Sequence, residues 1–244
     1  MHKDTRKDSG FTLTELAIVI VLAMLLISIS ITTAVSRIEV QRIKTTQERM
    51  DFLINVIDQY VRTYNHLPCP ANPTLASTNS TFGIGSGTGT GTCSSTGLLP
   101  TTVGANNILV GGVPTATLGI PGLMSFDGWD SRITYVVDED LTFEGSEGAG
   151  GFADSSVSGN IIMQNNDATP DVITNNGAVL IISHGANMFG SWPPAGGVRF
   201  NETGGSAAED ENTDEELDDI FIDIRTTSDF DDIVIYRTKW QLAR

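Results

Sequence analysis

The sequence predicts an α+β fold: one long N-terminal helix, apolar in its first half and amphipathic in its second, packed on a small antiparallel β-sheet head. Three observations lead there. Across residues 13–35 the only charge is Glu15. No Pro or Gly interrupts residues 11–65. Beyond residue 66 the helical spacing gives way to short β-branched runs set between Gly, Asn and Asp.

The chain opens with a polar stretch, residues 1–10 (MHKDTRKDSG), carrying Lys3, Arg6 and Lys7. FTLTE follows, then an apolar run over residues 16–27 that continues to Val35 with Ser28 and Ser30 interspersed. At about 1.5 Å per residue, residues 13–35 would reach roughly 34 Å, enough to cross the hydrocarbon core of a bilayer. The basic leader is expected to stay cytoplasmic and the remainder to be exported. A secretory signal peptide cut near Thr32-Thr33-Ala34 and a plain signal anchor are the ordinary readings of such a segment. Neither accounts for a leader ending in Gly10 directly before Phe11, on the cytoplasmic side of the span.

That junction resembles the class III signal of type IV pilins and type II secretion pseudopilins. The resemblance covers about 25 residues and rests on a basic leader, Gly10-Phe11, Glu15 and a long apolar helix occurring together. It implies a prepilin peptidase that cuts after Gly10 and methylates the new amine of Phe11. It also implies that Glu15, the fifth mature residue, serves assembly. The physical case is that a carboxylate in a lipid-facing helix costs about 2.5–3.5 kcal/mol and needs a positive partner. The Phe11 amine of a neighbouring subunit is such a partner. The competing reading is local: Thr12-x-x-Glu15 also fits a capping box. Capping tolerates Gln at this position, whereas assembly through an ion pair does not.

The helix continues past the span as SRIEVQRIKTTQERMDFLINVIDQYVRTYN. Ile43, Met50, Leu53, Ile57, Tyr60 and Tyr64 recur at steps of 7, 3, 4, 3 and 4 on one face, with Arg42, Lys44, Glu48, Arg49 and Asp58 elsewhere. Pro68 ends the run. A continuous helix over residues 11–65 would be about 80 Å long. Its second half needs a sheet to cover it. The organisation read from the chain is therefore a leader at 1–10, a helix at 11–65 with its span at about 13–35, and an exported head at 66–244.

In the head, residues 74–97 are rich in Ser, Thr and Gly and read as a flexible surface loop. The glycine-rich part at 85–91 does not follow a strand and open a helix, so it is not read as a dinucleotide site. Cys69 and Cys93 would close a loop of 25 residues if paired, worth roughly 3 kcal/mol in the chain-entropy picture. Pairing requires an oxidising compartment; two free thiols are the alternative. Strand-like runs lie at 132–138, 160–164, 178–183, 219–225 and 232–237. Asp127-Gly-Trp129 followed by Tyr135, and Ser183-His-Gly-Ala-Asn187 followed by Asp219-Ile220, are similar to a signature of type II pseudopilins. Asp130 stands where that signature has Gly, and Asn187 where it usually has Asp. Major type IV pilins often have Pro where this chain has Thr32, and a disulfide near the C-terminus. The resemblance therefore leans to a pseudopilin or minor pilin.

Thirty acidic against 14 basic residues give a net charge of −16, which excludes nucleic-acid binding because phosphate contacts need clustered Lys and Arg. Within residues 209–219 (EDENTDEELDD) eight of eleven are acidic. Asp210, Asn212, Asp214 and Asp218 mimic alternating oxygen ligands, but Glu215 replaces the glycine of an EF-hand loop and Phe221 its closing Glu. Some type II pseudopilins hold calcium in C-terminal loops, so the resemblance makes this stretch a Ca²⁺ candidate, against a solvated acidic loop. No other cofactor is expected. Enzymatic motifs such as GxSxG, HExxH and CxxC are absent from the sequence, and Ser183 and His184 would point to opposite faces of a strand. The chain is read as a non-enzymatic filament subunit. Implied partners are the prepilin peptidase, related pilin subunits and an inner-membrane assembly platform with a cytoplasmic ATPase. The alternatives are a membrane-anchored periplasmic binding or adhesion protein, with Trp129, Trp192 and Trp240 as contacts, or a periplasmic hydrolase.

Overall fold

The computed structural model describes residues 12–85, 87, 89, 91–93, 99–101, 108–165, 171–200, 206–213, 219–227 and 229–242, with backbone alone at 26–35 and 99–101. The chain divides into two compact units at Gln41/Arg42. Helix α1 runs over Leu13–Tyr64, uninterrupted as the absence of Pro and Gly permits. In the first unit its apolar side chains, among them Leu16, Ile18, Val21, Met24 and Leu25, are exposed. Among the described residues no helix is long and apolar enough to cross a membrane. The described side chains of the apolar segment are those of residues 13–25, short of the roughly 20 that a span needs.

In the second unit α1 ends at Asn65, whose φ of 56° is the left-handed conformation Asn accepts at a helix C-terminus. Leu67 then donates its N–H to the Leu141 carbonyl, 2.8 Å away, and joins the helix exit to the head. Met50, Leu53, Ile54, Ile57 and Val61 are buried. The expected face is therefore corrected at its C-terminal end: Tyr60 is half-buried and Tyr64 is 55% exposed, while Ile54 and Val61 take the inward positions. The expected steps average 3.5 residues, and a straight helix drifts by about 20° per heptad against that repeat.

The head contains a seven-stranded sheet: β1 (Leu99–Thr101), β2 (Ile108–Gly112), β3 (Thr134–Asp138), β4 (Ile161–Gln164), β5 (Val172–Ser183), β6 (Ile220–Ile222) and β7 (Ile233–Thr238). The order is β1-β2-β3-β5-β4-β6, with β7 pairing β5 off this path. β5 is twelve residues long and serves three partners: β4, β3 and β7. The sheet is not wholly antiparallel as expected, because β4 and β6 pair in parallel. Parallel neighbours need a long crossover, and the stretch between Gln164 and Ile220 supplies one. Among the described residues the head also has two short α-helices, α2 (Ala207–Thr213) and α3 (Lys239–Leu242), and two 3-10 turns.

Both sheet faces are covered. Leu109, Tyr135, Val137, Val179 and Ile181 join the buried α1 residues in one core. Ile108, Val110, Val136, Leu180 and Ile182, the alternate positions, form the second with Trp192 and Phe221. Cys69 and Cys93 are joined in a disulfide with Cα atoms 5.6 Å apart. The bridge fastens the helix exit to the glycine-rich stretch. That stretch is also tied by a bridge between Ala71 and Gly85, and Arg132 donates to the carbonyls of Pro73 and Leu75.

Candidate functional site

Gly10 and Phe11 lie outside the described residues. Thr12 and Glu15 form a reciprocal capping box at the start of α1. Thr12 N–H donates to Glu15 Oε2 at 2.9 Å, and Glu15 N–H donates to Thr12 Oγ1 at 3.3 Å. Thr12 Oγ1 donates to the same Oε2 at 2.8 Å. Within one chain, Glu15 therefore has polar partners of its own. Its residue environment is exposed.

In the head, Asp127, Gly128, Trp129 and Ser183, which carry part of the second resemblance, meet at one hub. Asp127 is 0% exposed; its Oδ1 accepts from Trp129 N–H and Ser131 N–H at 2.9 Å each, and its Oδ2 accepts from Ser183 Oγ at 2.7 Å. Burial lifts this carboxyl above the usual range, against the opposing pull of those donors and of Arg49. Arg49 of α1 donates to the Phe126 and Asp127 carbonyls at 2.7 and 2.9 Å. Gly128 N–H donates to Thr46 Oγ1 at 2.9 Å, and a Cβ at Gly128 would fall 2.2 Å from the Arg42 carbonyl oxygen. Only glycine allows that approach to the helix. Separately, Tyr135 donates to the Pro68 carbonyl at 2.9 Å, tying β3 to the segment after α1. Asp130, in the glycine position of the resembled signature, has φ 62°, a conformation open to Gly and tolerated by Asp. The hub is a lock between α1 and the sheet.

A second polar centre lies beyond the C-terminal end of β5. Glu209 of α2, Asp231 and Asp232 each place a carboxylate oxygen within 4.8 Å of the others. α2 begins with its own capping box, Ser206 and Glu209, which fixes Glu209 Oε2. Glu209 Oε1 accepts from Asn187 Nδ2 at 2.7 Å, a bond that Asp at position 187 could not donate. Asp231 Oδ2 accepts from the N–H groups of Ala186 and Asn187 at 2.7 and 3.0 Å. The turn comes this close because Gly185 has no Cβ; one would sit 2.4 Å from Asp231 Cγ. Asp232 Oδ2 accepts from Asn212 Nδ2 at 2.8 Å. Asp231 Oδ1 and Asp232 Oδ1 are buried without a hydrogen-bond partner. Burial lifts the Asp231 carboxyl and lifts that of Asp232 well above the usual range, and like charges from Glu209 add to both.

His184 borders this centre. Its Nε2 lies 2.9 Å from Thr134 Oγ1 and its Nδ1 3.8 Å from Asp232 Oδ1. The ring is 0% exposed, and burial pushes its pKa down to about 3, with Arg199 acting in the same direction. Thr134, His184 and Asp232 form a buried line, with Asp232 3% exposed and the other two 0%. Ser183 turns to Asp127 instead.

Residues 5–31 match the family model of the prokaryotic N-terminal methylation motif. The chain carries a prepilin-type signal. No curated protein and no solved structure matches the chain. The motif is that of type IV pilin-like and pseudopilin proteins in general, and it implies pilin-type processing, assembly with related subunits and a membrane-anchored place in the cell envelope.

The structure separates the four sequence candidates for metal binding. Asp210 is exposed, and Asn212 is committed to the Ile222 backbone and to Asp232. Asp214 and Asp218 lie outside the described residues. The sequence reading missed Asp231 and Asp232. Their one local signal is two adjacent acids immediately before a strand. Of the tryptophans, Trp129 and Trp192 are buried, and Trp240 is 52% exposed.

Proposed function

We propose that the chain is a structural subunit, a pseudopilin or minor pilin, of a type IV pilus-like or type II secretion filament. The observation that carries this is the methylation motif at residues 5–31, which spans both the Gly10-Phe11 junction and Glu15. In this reading the precursor inserts through residues 13–35, with the head in the periplasm. The prepilin peptidase cuts between Gly10 and Phe11 and methylates Phe11. An inner-membrane platform with a cytoplasmic ATPase then moves the subunit into the filament. Glu15 exchanges its Thr12 contacts for the Phe11 amine of a neighbouring subunit, so that both charges are satisfied away from water. The hub at Asp127 fits this role, because it couples the head to the helix that is pulled. The reading is non-catalytic.

Mass spectrometry of the purified protein is expected to find an N-terminal methyl-Phe11, and Glu15→Gln is expected to abolish filaments while leaving processing intact. An unprocessed leader in assembled material, or Glu15→Gln filaments in wild-type amounts, defeats the proposal.

A calcium ion is the second element of this reading, implied by the resemblance to type II pseudopilins. The residues present fit it. The three clustered groups offer oxygen alone, the donor a hard cation takes, and two of their oxygens are buried without partners. Glu209, Asp231 and Asp232 would hold the ion, which would offset their mutual repulsion and tie α2 to the segment before β7. Calcium chloride is expected to raise the melting temperature of the wild-type protein and not that of Asp232→Asn. Equal shifts in both defeat this site.

A further inference from the structure

His184 is fully buried, and neither of its ring nitrogens reaches water. Thr134 Oγ1 lies 2.9 Å from Nε2. The other nitrogen, Nδ1, faces Asp232 Oδ1 across 3.8 Å, too far for a hydrogen bond and too close for an intervening water. Both atoms are without a hydrogen-bond partner. Buried polar atoms are nearly always satisfied, so two orphans facing each other mark an arrangement completed by something else.

The tautomer follows from the neighbours. A neutral imidazole has one N–H and one lone pair. With Asp232 ionised, a proton on Nε2 would leave the Nδ1 lone pair pointing at a carboxylate oxygen, which is repulsive. In that state the favoured arrangement has the Thr134 hydroxyl donating to Nε2 and the proton on Nδ1, facing Asp232. Asp232 is then steered from two sides, by Asn212 Nδ2 on Oδ2 at 2.8 Å and by His184 on Oδ1. Glu209 and Asp231 complete the cluster, Asn187 holds Glu209, and the charge of Arg199 disfavours a protonated His184.

We propose that His184, as its Nδ1–H tautomer locked by Thr134, is a positioning residue of the carboxylate cluster that holds Asp232 turned toward Glu209 and Asp231 for a hard divalent cation. This rests on the calcium reading above. An ion that keeps Asp232 ionised would draw the Nδ1–H in from 3.8 Å to close a charge-assisted hydrogen bond on Oδ1, the kind of outer support that ligating carboxylates receive.

The test uses the full chain in detergent micelles with calcium chloride as the probe. Calorimetry, calcium-free melting and a long-range ¹H–¹⁵N spectrum of the imidazoles are compared for wild type, His184→Asn and His184→Leu. The wild-type spectrum is expected to show His184 protonated at Nδ1. His184→Asn, which keeps an N–H near the same place, is expected to bind calcium within about threefold of wild type, and His184→Leu about tenfold or more weakly at a similar calcium-free midpoint. Wild-type affinity in His184→Leu, or an Nε2–H tautomer in wild type, overturns the positioning role and leaves the cation reading standing. A wild-type chain that gives neither heat nor a melting shift with calcium removes both.

Discussion

Asp138, at the end of β3, is sealed from solvent, yet its carboxylate is surrounded by donors: Asp140 N–H at 3.0 Å, Asn160 N–H at 2.9 Å and Asn160 Nδ2 at 2.7 Å. Burial outweighs them and pushes its pKa up to about 7. An unfolded Asp titrates near about 3.9, so between the two values the native state holds a proton that the unfolded state lacks. The contribution of this group to stability is therefore fully present below about pH 4 and is lost as pH rises through about 7. Urea unfolding of wild type and Asp138→Asn between those limits is expected to show wild type losing stability relative to the variant as pH rises. Parallel curves would contradict that assignment. At this scale the sequence was only partly legible. Asp130 stood out as a departure from a glycine position, and its left-handed φ supplies the reason an Asp serves there. Asp231 and Asp232 did not stand out, because the eye goes to the densest acidic run. The cluster instead joins one member of that run, Glu209, to acids 22 and 23 residues further on.

Among the elements, β6 is three residues long and pairs β4 along one side. Its other side is served by a side chain. Ile222 N–H donates to Asn212 Oδ1 at 2.7 Å, and Asn212 Nδ2 donates back to the Ile222 carbonyl at 3.1 Å, so an amide from α2 stands in for the next strand. All of these groups are buried, and an unmatched buried N–H or C=O costs on the order of 1–3 kcal/mol. Asn212→Ala is expected to destabilise the head by about 2–3 kcal/mol and to accelerate hydrogen exchange at the Ile222 amide ahead of the β5 amides. An unchanged Ile222 exchange rate would show that another group pairs that edge. Five of the strands were legible as short β-branched runs; in β3 and the second half of β5, burial on both faces keeps such residues contiguous. β1 and β2 were not. Pro100 sits in one, and Gly111 and Gly112 end the other, residues that read as turns until a neighbour pairs them. The first half of β5 (VITNN) is mostly exposed, Val172 and Ile173 included, and is held by its pairing with β4. The parallel partnership of β4 and β6 is set by a long crossover, which no local pattern encodes.

At the scale of the whole chain, charge is distributed very unevenly. Removing residues 1–10, with three basic and two acidic groups, takes the net charge from −16 to −17. Residues 11–65 are neutral, with five charges of each sign, so residues 66–244 carry the entire excess as 23 acidic against six basic groups. Filament assembly repeats this head along one axis and sets like charges against each other. The repulsion reaches about 30 Å at 0.01 M salt and about 8 Å at 0.15 M. Filaments of this subunit are therefore expected to be retained at physiological ionic strength and to shed subunits on dilution into low salt, as read by the pelletable fraction. The opposite trend is the informative failure. If the basic groups of residues 37–62 bound the acidic heads of neighbours, low salt would strengthen those pairs and filaments would persist on dilution. Calcium separates the two terms further. A cation held by Glu209, Asp231 and Asp232 removes charge from each head stoichiometrically, so millimolar calcium should preserve filaments better than sodium chloride of equal ionic strength. Equal retention in the two salts would leave screening alone as the force that lets the heads come together.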